Sequence, residues 1–121
     1  YQPQKRLGRY LIGKPRSVYK YDWRTGQPGA DILEIFVDTD FAGCTETRRS
    51  ASGGLCFLNG SNIKSWSKTQ TTLSLSSGEA ELHGICAGIA QGLGLQSVAR
   101  DLGFEFDIRI HTDATAAIGM R

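Results

Sequence analysis

The dipeptide Asn59-Gly60 constrains this chain more than any other pair of residues. Both residues tolerate the positive φ of a two-residue hairpin turn, the turn that matches the twist of paired strands. Gly54-Leu55-Cys56-Phe57-Leu58 precedes it and Asn62-Ile63-Lys64-Ser65-Trp66-Ser67 follows it. Both segments read as strands, so together they predict an antiparallel hairpin. Upstream, Ile32-Leu33-Glu34-Ile35-Phe36-Val37-Asp38 is an apolar run ending in an acid. With the polar stretch from Gly43 to Ser52 as a loop, the three segments form an antiparallel meander.

A long helix is expected from about Ser77 to Leu102. Ser76 is its candidate N-cap, and Glu79 three residues later completes a capping box. Leu82, Ile85, Ile89, Leu93 and Val98 form an apolar stripe. Gly84, Gly88 and Gly92 recur four apart on a neighbouring face. Each costs about 1 kcal/mol relative to alanine in a helix interior, a cost that close packing against a sheet or another helix offsets. Gly103 suits the C-terminal cap. Phe106 to Asp113 reads as a further strand that again ends in an acid, and Ala114 to Met120 as the start of another helix. The fold class is therefore α/β, a mixed sheet with helices packed on its faces.

Ahead of this body, residues from about Gln4 to Ile12 form a short helix with Leu7, Tyr10 and Leu11 on one side. Gly13 and Pro15 end it. Val18, Tyr19, Tyr21 and Trp23 have the pattern of an edge strand, and Thr25 to Gly29 that of a turn. Residues 1–29 are thus set apart as a connecting segment and residues 30–121 as the domain. The chain opens inside a basic helical pattern and stops just after a new apolar segment begins, so it reads as a piece of something longer.

With 121 residues, 40% of them hydrophobic, the chain can bury a core without disulfides. Net charge is only +2, a weak argument for nucleic acid. The distribution says more: Lys5, Arg6, Arg9, Lys14, Arg16 and Lys20 all precede the first acid, Asp22. Such an end can lie along a phosphate backbone or simply be a solvated helix face. Cys44, Cys56 and Cys86 lack metal-ligand spacing and suit a reducing compartment. No signal peptide is expected, and no apolar run approaches a membrane span, so no membrane partner is expected.

Three acids stand out by position. Asp38 ends the first core strand, Glu81 lies in the second turn of the long helix, and Asp113 ends the last strand. Ligands of open α/β sheets bind at the carboxyl ends of strands. Clustered carboxylates repel unless cations intervene, and magnesium takes hard oxygen donors with few protein contacts. Turn-capping by strand-terminal aspartates is the competing explanation. Asp40, two residues from Asp38, faces the same side if the strand continues, which makes it an outer or supporting acid. Capping accounts for Glu79 without chemistry. His111 alternates with Asp113 and is a second supporting residue, although packing explains it equally. Arg48 and Arg49 are candidates for phosphate contacts, as are Lys68 and Gln70 before the long helix. Trp66 reads as a buried sheet residue and His83 as incidental.

The motifs carrying these residues, in order, are Val37-Asp38-Thr39-Asp40-Phe41-Ala42-Gly43, Arg48-Arg49-Ser50-Ala51-Ser52-Gly53-Gly54, Ser65-Trp66-Ser67-Lys68-Thr69-Gln70, Leu75-Ser76-Ser77-Gly78-Glu79-Ala80-Glu81-Leu82 and Thr112-Asp113-Ala114-Thr115-Ala116-Ala117-Ile118. Across nearly the whole chain this series resembles the ribonuclease H region of Ty1/copia-type retrotransposon polyproteins. Lys5 to Gly13 is similar to that family's connection from reverse transcriptase. Phe41 stands where the family usually has Trp, and Ala114 where it has a small polar residue.

The resemblance implies a ribonuclease H-like fold and hydrolysis of the RNA strand of RNA–DNA hybrids during reverse transcription. Asp38, Glu81 and Asp113 would hold two Mg2+ ions, which Mn2+ can replace. It implies a covalently linked reverse transcriptase domain, and a cytoplasmic setting within retrotransposon particles. It also implies a fourth carboxylate and a histidine-containing motif beyond residue 121, so the domain is expected to be C-terminally incomplete. Two other readings stay open. One is a noncatalytic hybrid-binding or interdomain packing module. The other is a DNA-directed nuclease of the same superfamily, such as a resolvase or integrase.

Overall fold

A computed structural model describes residues 2–21 and 31–113. Its elements are α1 (Gln2–Gly13), β1 (Ile32–Asp40), β2 (Ala51–Leu58), β3 (Ser61–Thr69), α2 (Ser77–Asp101) and β4 (Asp107–Thr112). The sheet order is β3-β2-β1-β4. β1, β2 and β3 run antiparallel as the expected meander, and β4 lies parallel to β1. A parallel pair needs a crossover, and α2 supplies it.

Local chemistry explains most boundaries. Asn59 and Gly60 have φ of 50° and 83°, as the hairpin turn requires. The Asn59 side chain also ties the turn to the start of β1, donating to Asp31 Oδ1 at 2.7 Å. Ser76 Oγ accepts from the Glu79 amide at 3.2 Å, and the Glu79 carboxylate accepts from the Leu75 amide at 2.7 Å. The box therefore closes one residue ahead of the cap itself. At the other end of α2, Phe104 N–H donates to Ala99 O at 2.8 Å and Gly103 N–H to Arg100 O at 3.0 Å. With Gly103 at φ 84°, this is a Schellman termination.

Leu33, Ile35, Val37, Cys56 and Phe106 form the core between the sheet and α2. Each large side chain removed from water there contributes about 1.5–3 kcal/mol. The face that α2 turns to the sheet is not the expected stripe. Ala80, Gly84, Gly88 and Gly92 are its buried residues, whereas Leu93 and Val98 are more than half exposed and Leu82 and Ile89 also face outward. The reason is closeness of approach. A Cβ at Gly88 would stand 2.6 Å from Val37 Cγ2, and one at Gly92 2.5 Å from Ile35 Cδ1. The glycines admit the β-branched side chains of β1 almost to the helix backbone.

Two further expectations change. Residues 14–21 carry no regular structure, and Val18, Tyr19 and Tyr21 are exposed rather than paired in an edge strand. Tyr21 instead donates its hydroxyl to Asn62 O at 2.7 Å. Trp23, the turn at Thr25 to Gly29 and the helix expected from Ala114 lie outside the described residues.

Candidate active site

The site is built where the pairing of β1 with β4 ends, while β1 runs on to Asp40 beside β2. Their last paired residues are Val37 and Thr112, so Asp38 and Asp113 follow one step later on adjacent strands. Val37 is buried against Gly84 and Gly88 of α2. Alternation along the strand therefore turns Asp38 to the opposite face of the sheet. There Asp38 and Asp113 line one cavity of about 820 Å³ together with Phe36, Leu55, Ser65 and His111. Both acids are exposed. Asp38 Oδ1 also accepts from the Thr39 amide at 2.9 Å, which fixes its rotamer near the strand end.

Glu81 reaches this strand end by another route. Gly84 sits over Thr39 and Val37, and Glu81, one turn earlier on α2, is carried toward the C-terminal end of β1. It is half-buried and is not among the residues lining the Asp38–Asp113 cavity. Among the described residues no three His, Cys, Asp or Glu side chains form a group that could hold a metal ion. The structure thus brings two of the three sequence-identified acids to one cavity and leaves the third outside it. Two carboxylates on neighbouring strands, lining one cavity, fit the donor set of a magnesium ion, which keeps most of its waters and takes one or two protein carboxylates.

His111 is placed by its neighbours. Its ring stacks on Phe36, with centroids 4.5 Å apart and planes 10° apart, and its Nε2 lies 3.2 Å from Glu34 Oε1. Phe57 meets Phe36 edge-on at 5.7 Å. The sequence reading singled out His111 but passed over Glu34 and Phe36. Their signal was the two-residue alternation with Asp38, which puts Glu34, Phe36 and Asp38 on one face. Asp40 follows on that face, but its carboxylate folds against Gly43, where a Cβ would collide with it.

The basic and amide candidates separate into two places. Arg48 and Arg49 are exposed in the loop after β1. Arg48 has φ 56° and donates its amide to Cys44 O at 2.7 Å, while Cys44 N–H donates to Arg49 O at 3.2 Å. The loop is folded on its own backbone, and both arginines are exposed on it. Lys68 and Gln70 line a different cavity, with His83, Ala87 and Gln91, on the α2 side of the sheet. The Gln70 amide is engaged internally. It donates to Ser52 Oγ at 2.7 Å and Ala80 O at 2.8 Å, and accepts from Ser74 Oγ at 3.1 Å. Gln70 therefore ties β2 to the start of α2, a role the sequence did not suggest. His83 lies 3.9 Å from Glu79, one helical turn away.

The cysteines differ by surroundings. Hydrogen bonds from the Thr47 side chain, then from the Thr47 and Glu46 backbone, hold the Cys44 thiol below its ordinary range. Burial pushes the Cys56 thiol up, partly countered by Lys64. No described helix is long and apolar enough to cross a membrane.

The chain is 48% identical over 60 residues to the uncharacterized mitochondrial protein AtMg00810 of Arabidopsis thaliana, covering 49% of this chain and 25% of that protein. It is 41% identical over 81 residues to secreted RxLR effector protein 161 of Plasmopara viticola, covering 67% of this chain and 54% of that protein. The similarity thus spans about a quarter and about half of these two relatives. No family model and no solved structure matches the chain.

Proposed function

We propose that this chain is a large part of a ribonuclease H domain from a retrotransposon reverse transcriptase, hydrolysing the RNA strand of RNA–DNA hybrids. The observation that carries this reading is the placement of Asp38 and Asp113 one step beyond the last pair of two adjacent parallel strands, lining one cavity. The ordered motifs around Asp38, Arg48, Trp66, Glu81 and Asp113 support it. The similarity to the plant mitochondrial protein supports the retrotransposon origin. Recurrence of related segments in a plant mitochondrial protein and an oomycete protein accords with a mobile element.

In this reading Asp38 and Asp113 would hold magnesium, and Glu81, which the motif resemblance adds to them, lies outside their cavity. Two bound magnesium ions would activate water and stabilise the leaving 3′ oxygen in an in-line displacement. Asp38 is presented by the strand end and oriented by the Thr39 amide. Glu34 and Phe36 hold the His111 ring at the cavity wall. Arg48 and Arg49 meet phosphates of the hybrid, giving binding that follows backbone charge and groove shape rather than base sequence.

A substrate panel tests this. End-labelled RNA–DNA hybrid, duplex DNA and a four-way DNA junction are incubated with magnesium and the protein that carries this chain. Cleavage confined to the RNA strand of the hybrid is the expected outcome, leaving 5′ phosphate and 3′ hydroxyl ends. Cleavage of the DNA substrates instead identifies a resolvase- or integrase-like nuclease. Hybrid binding without any cleavage leaves the noncatalytic module.

A further inference from the structure

α2 lies over β1, β2 and β4 and not over β3. The α2 side of β3 is therefore left as one wall of a groove, and strand alternation fixes what that wall carries. Lys64, Trp66 and Lys68 pair with Cys56, Gly54 and Ser52 of β2. Cys56 is buried in the core under α2, and Ser52 Oγ lies beside Gly84 of α2. Residues opposite one another on paired strands share a face, so the two lysines and the tryptophan stand on the α2 side. The Trp66 indole lies across Gly54, where a Cβ would collide with it, and it is only half-buried. Trp66 and Lys68 border a cavity of about 360 Å³ whose other wall is His83, Ala87, Ala90 and Gln91 of α2. Both lysines are exposed, and neither has an ion-pair partner among the described residues. Glu79, one turn before His83, is already taken up by the Leu75 amide.

We propose that this groove binds single-stranded nucleic acid, with a base against Trp66 and phosphates on Lys64 and Lys68. The spacing suits it. Residues two apart on a strand are separated by about 6.7 Å, so the lysines stand roughly 13 Å apart with the indole midway between them. Single-strand sites combine such a charged track with an aromatic ring on which a base stacks, and they tolerate any sequence because every base has a flat face. A duplex keeps its bases stacked inside and presents phosphates alone, which leaves Trp66 unused. An acidic peptide engages the lysines but brings no flat face to the indole. The groove lies on the opposite side of the sheet from the Asp38 side chain, so a strand bound there leaves the Asp38–Asp113 cavity free. The proposal stands whether or not those acids serve hydrolysis.

Trp66 itself reports the binding. The chain has two tryptophans, so Trp23→Phe leaves Trp66 as the one indole fluorophore. The full chain is titrated with oligothymidylate or oligouridylate of about twelve nucleotides. EDTA is present throughout, which keeps the measurement apart from metal-dependent cleavage. Quenching by either oligomer is expected, and the ratio of their affinities shows which sugar is preferred. Lys64→Gln/Lys68→Gln should weaken binding on the order of tenfold and lower the slope of log K against log salt by about 1.4. Ala90→Glu, which sets an acid on the exposed α2 wall, should weaken it similarly without touching β3. Unfolding curves check that both variants fold. No quenching by either oligomer overturns the proposal. Quenching that survives either variant does the same. So does equally tight binding of duplex DNA or polyglutamate, neither of which brings a free base to the indole.

Discussion

Asp38 and Asp113 stand on neighbouring parallel strands one step beyond the Val37–Thr112 pair, and both open into the same cavity. Parallel pairing matters here. It sends both strands toward the same end of the sheet, so two acids far apart in sequence finish together. An antiparallel partner would have carried its terminal residue to the opposite end.

The glycine face of α2 gives a paired stability test. Gly88→Ala brings a Cβ to 2.6 Å from Val37. Overpacking of this kind costs about 1–3 kcal/mol, against a gain of about 1 kcal/mol in helix propensity. Net destabilisation is expected in urea unfolding. Gly94→Ala meets open space and should stabilise by up to about 1 kcal/mol. Stabilisation by both would show that α2 does not approach the sheet this closely.

Gln70→Ala should destabilise the domain by about 2 kcal/mol, because Ser52 and Ala80 O lose a donor in a half-buried setting. Hybrid affinity per folded molecule should be unchanged. A calorimetric binding titration beside the unfolding curve separates the two effects. A large affinity loss with parental stability would return Gln70 to the binding surface.

Arg48→Gln/Arg49→Gln should weaken hybrid binding and lower its salt dependence, reducing the slope of log K against log salt by up to about 2. Fluorescence anisotropy across a salt series measures this. An unchanged slope would mean that neither guanidinium meets a phosphate.

Cys44 should be alkylated at lower pH than Cys56. Hydrogen bonds that favour the Cys44 thiolate enlarge its reactive fraction near neutrality, whereas burial disfavours the Cys56 thiolate and blocks access. In the folded chain the rate at Cys44 should reach its half-maximum below the ordinary thiol pH. Unfolding should move that midpoint upward and expose Cys56. Mass spectrometry of iodoacetamide-treated protein follows each residue. Faster labelling of Cys56 in the folded state would contradict the burial.

What the sequence revealed was local. Asn59-Gly60, the Ser76 cap and Gly103 each satisfy their own backbone within a few residues, so pattern alone places the hairpin and both ends of α2. On α2 the close packing expected at Gly84, Gly88 and Gly92 is found, whereas the apolar stripe is not the buried face, because periodicity weighs side-chain hydrophobicity and this packing turns on the absence of side chains. The structural role of Gln70 was not legible because its partners Ser52, Ser74 and Ala80 lie on three separate segments. At the site, the strand end was legible for Asp113, whereas β1 runs two residues past Asp38, to Asp40. The relation of Glu81 to them depends on how α2 lies across the sheet, which no spacing in the chain encodes.

The central claim is that Asp38 and Asp113 form a cation site serving hydrolysis of RNA in hybrids. It is tested most directly by magnesium-dependent cleavage of a labelled hybrid by the parent protein and its Asp38→Asn variant, with thermal unfolding as the control for folding. Asparagine keeps the volume and the oxygen that accepts from Thr39, and removes the charge. The account predicts a similar unfolding temperature without metal and a loss of cleavage on the order of a hundredfold or more. Near-parental, magnesium-dependent cleavage by folded Asp38→Asn would contradict it.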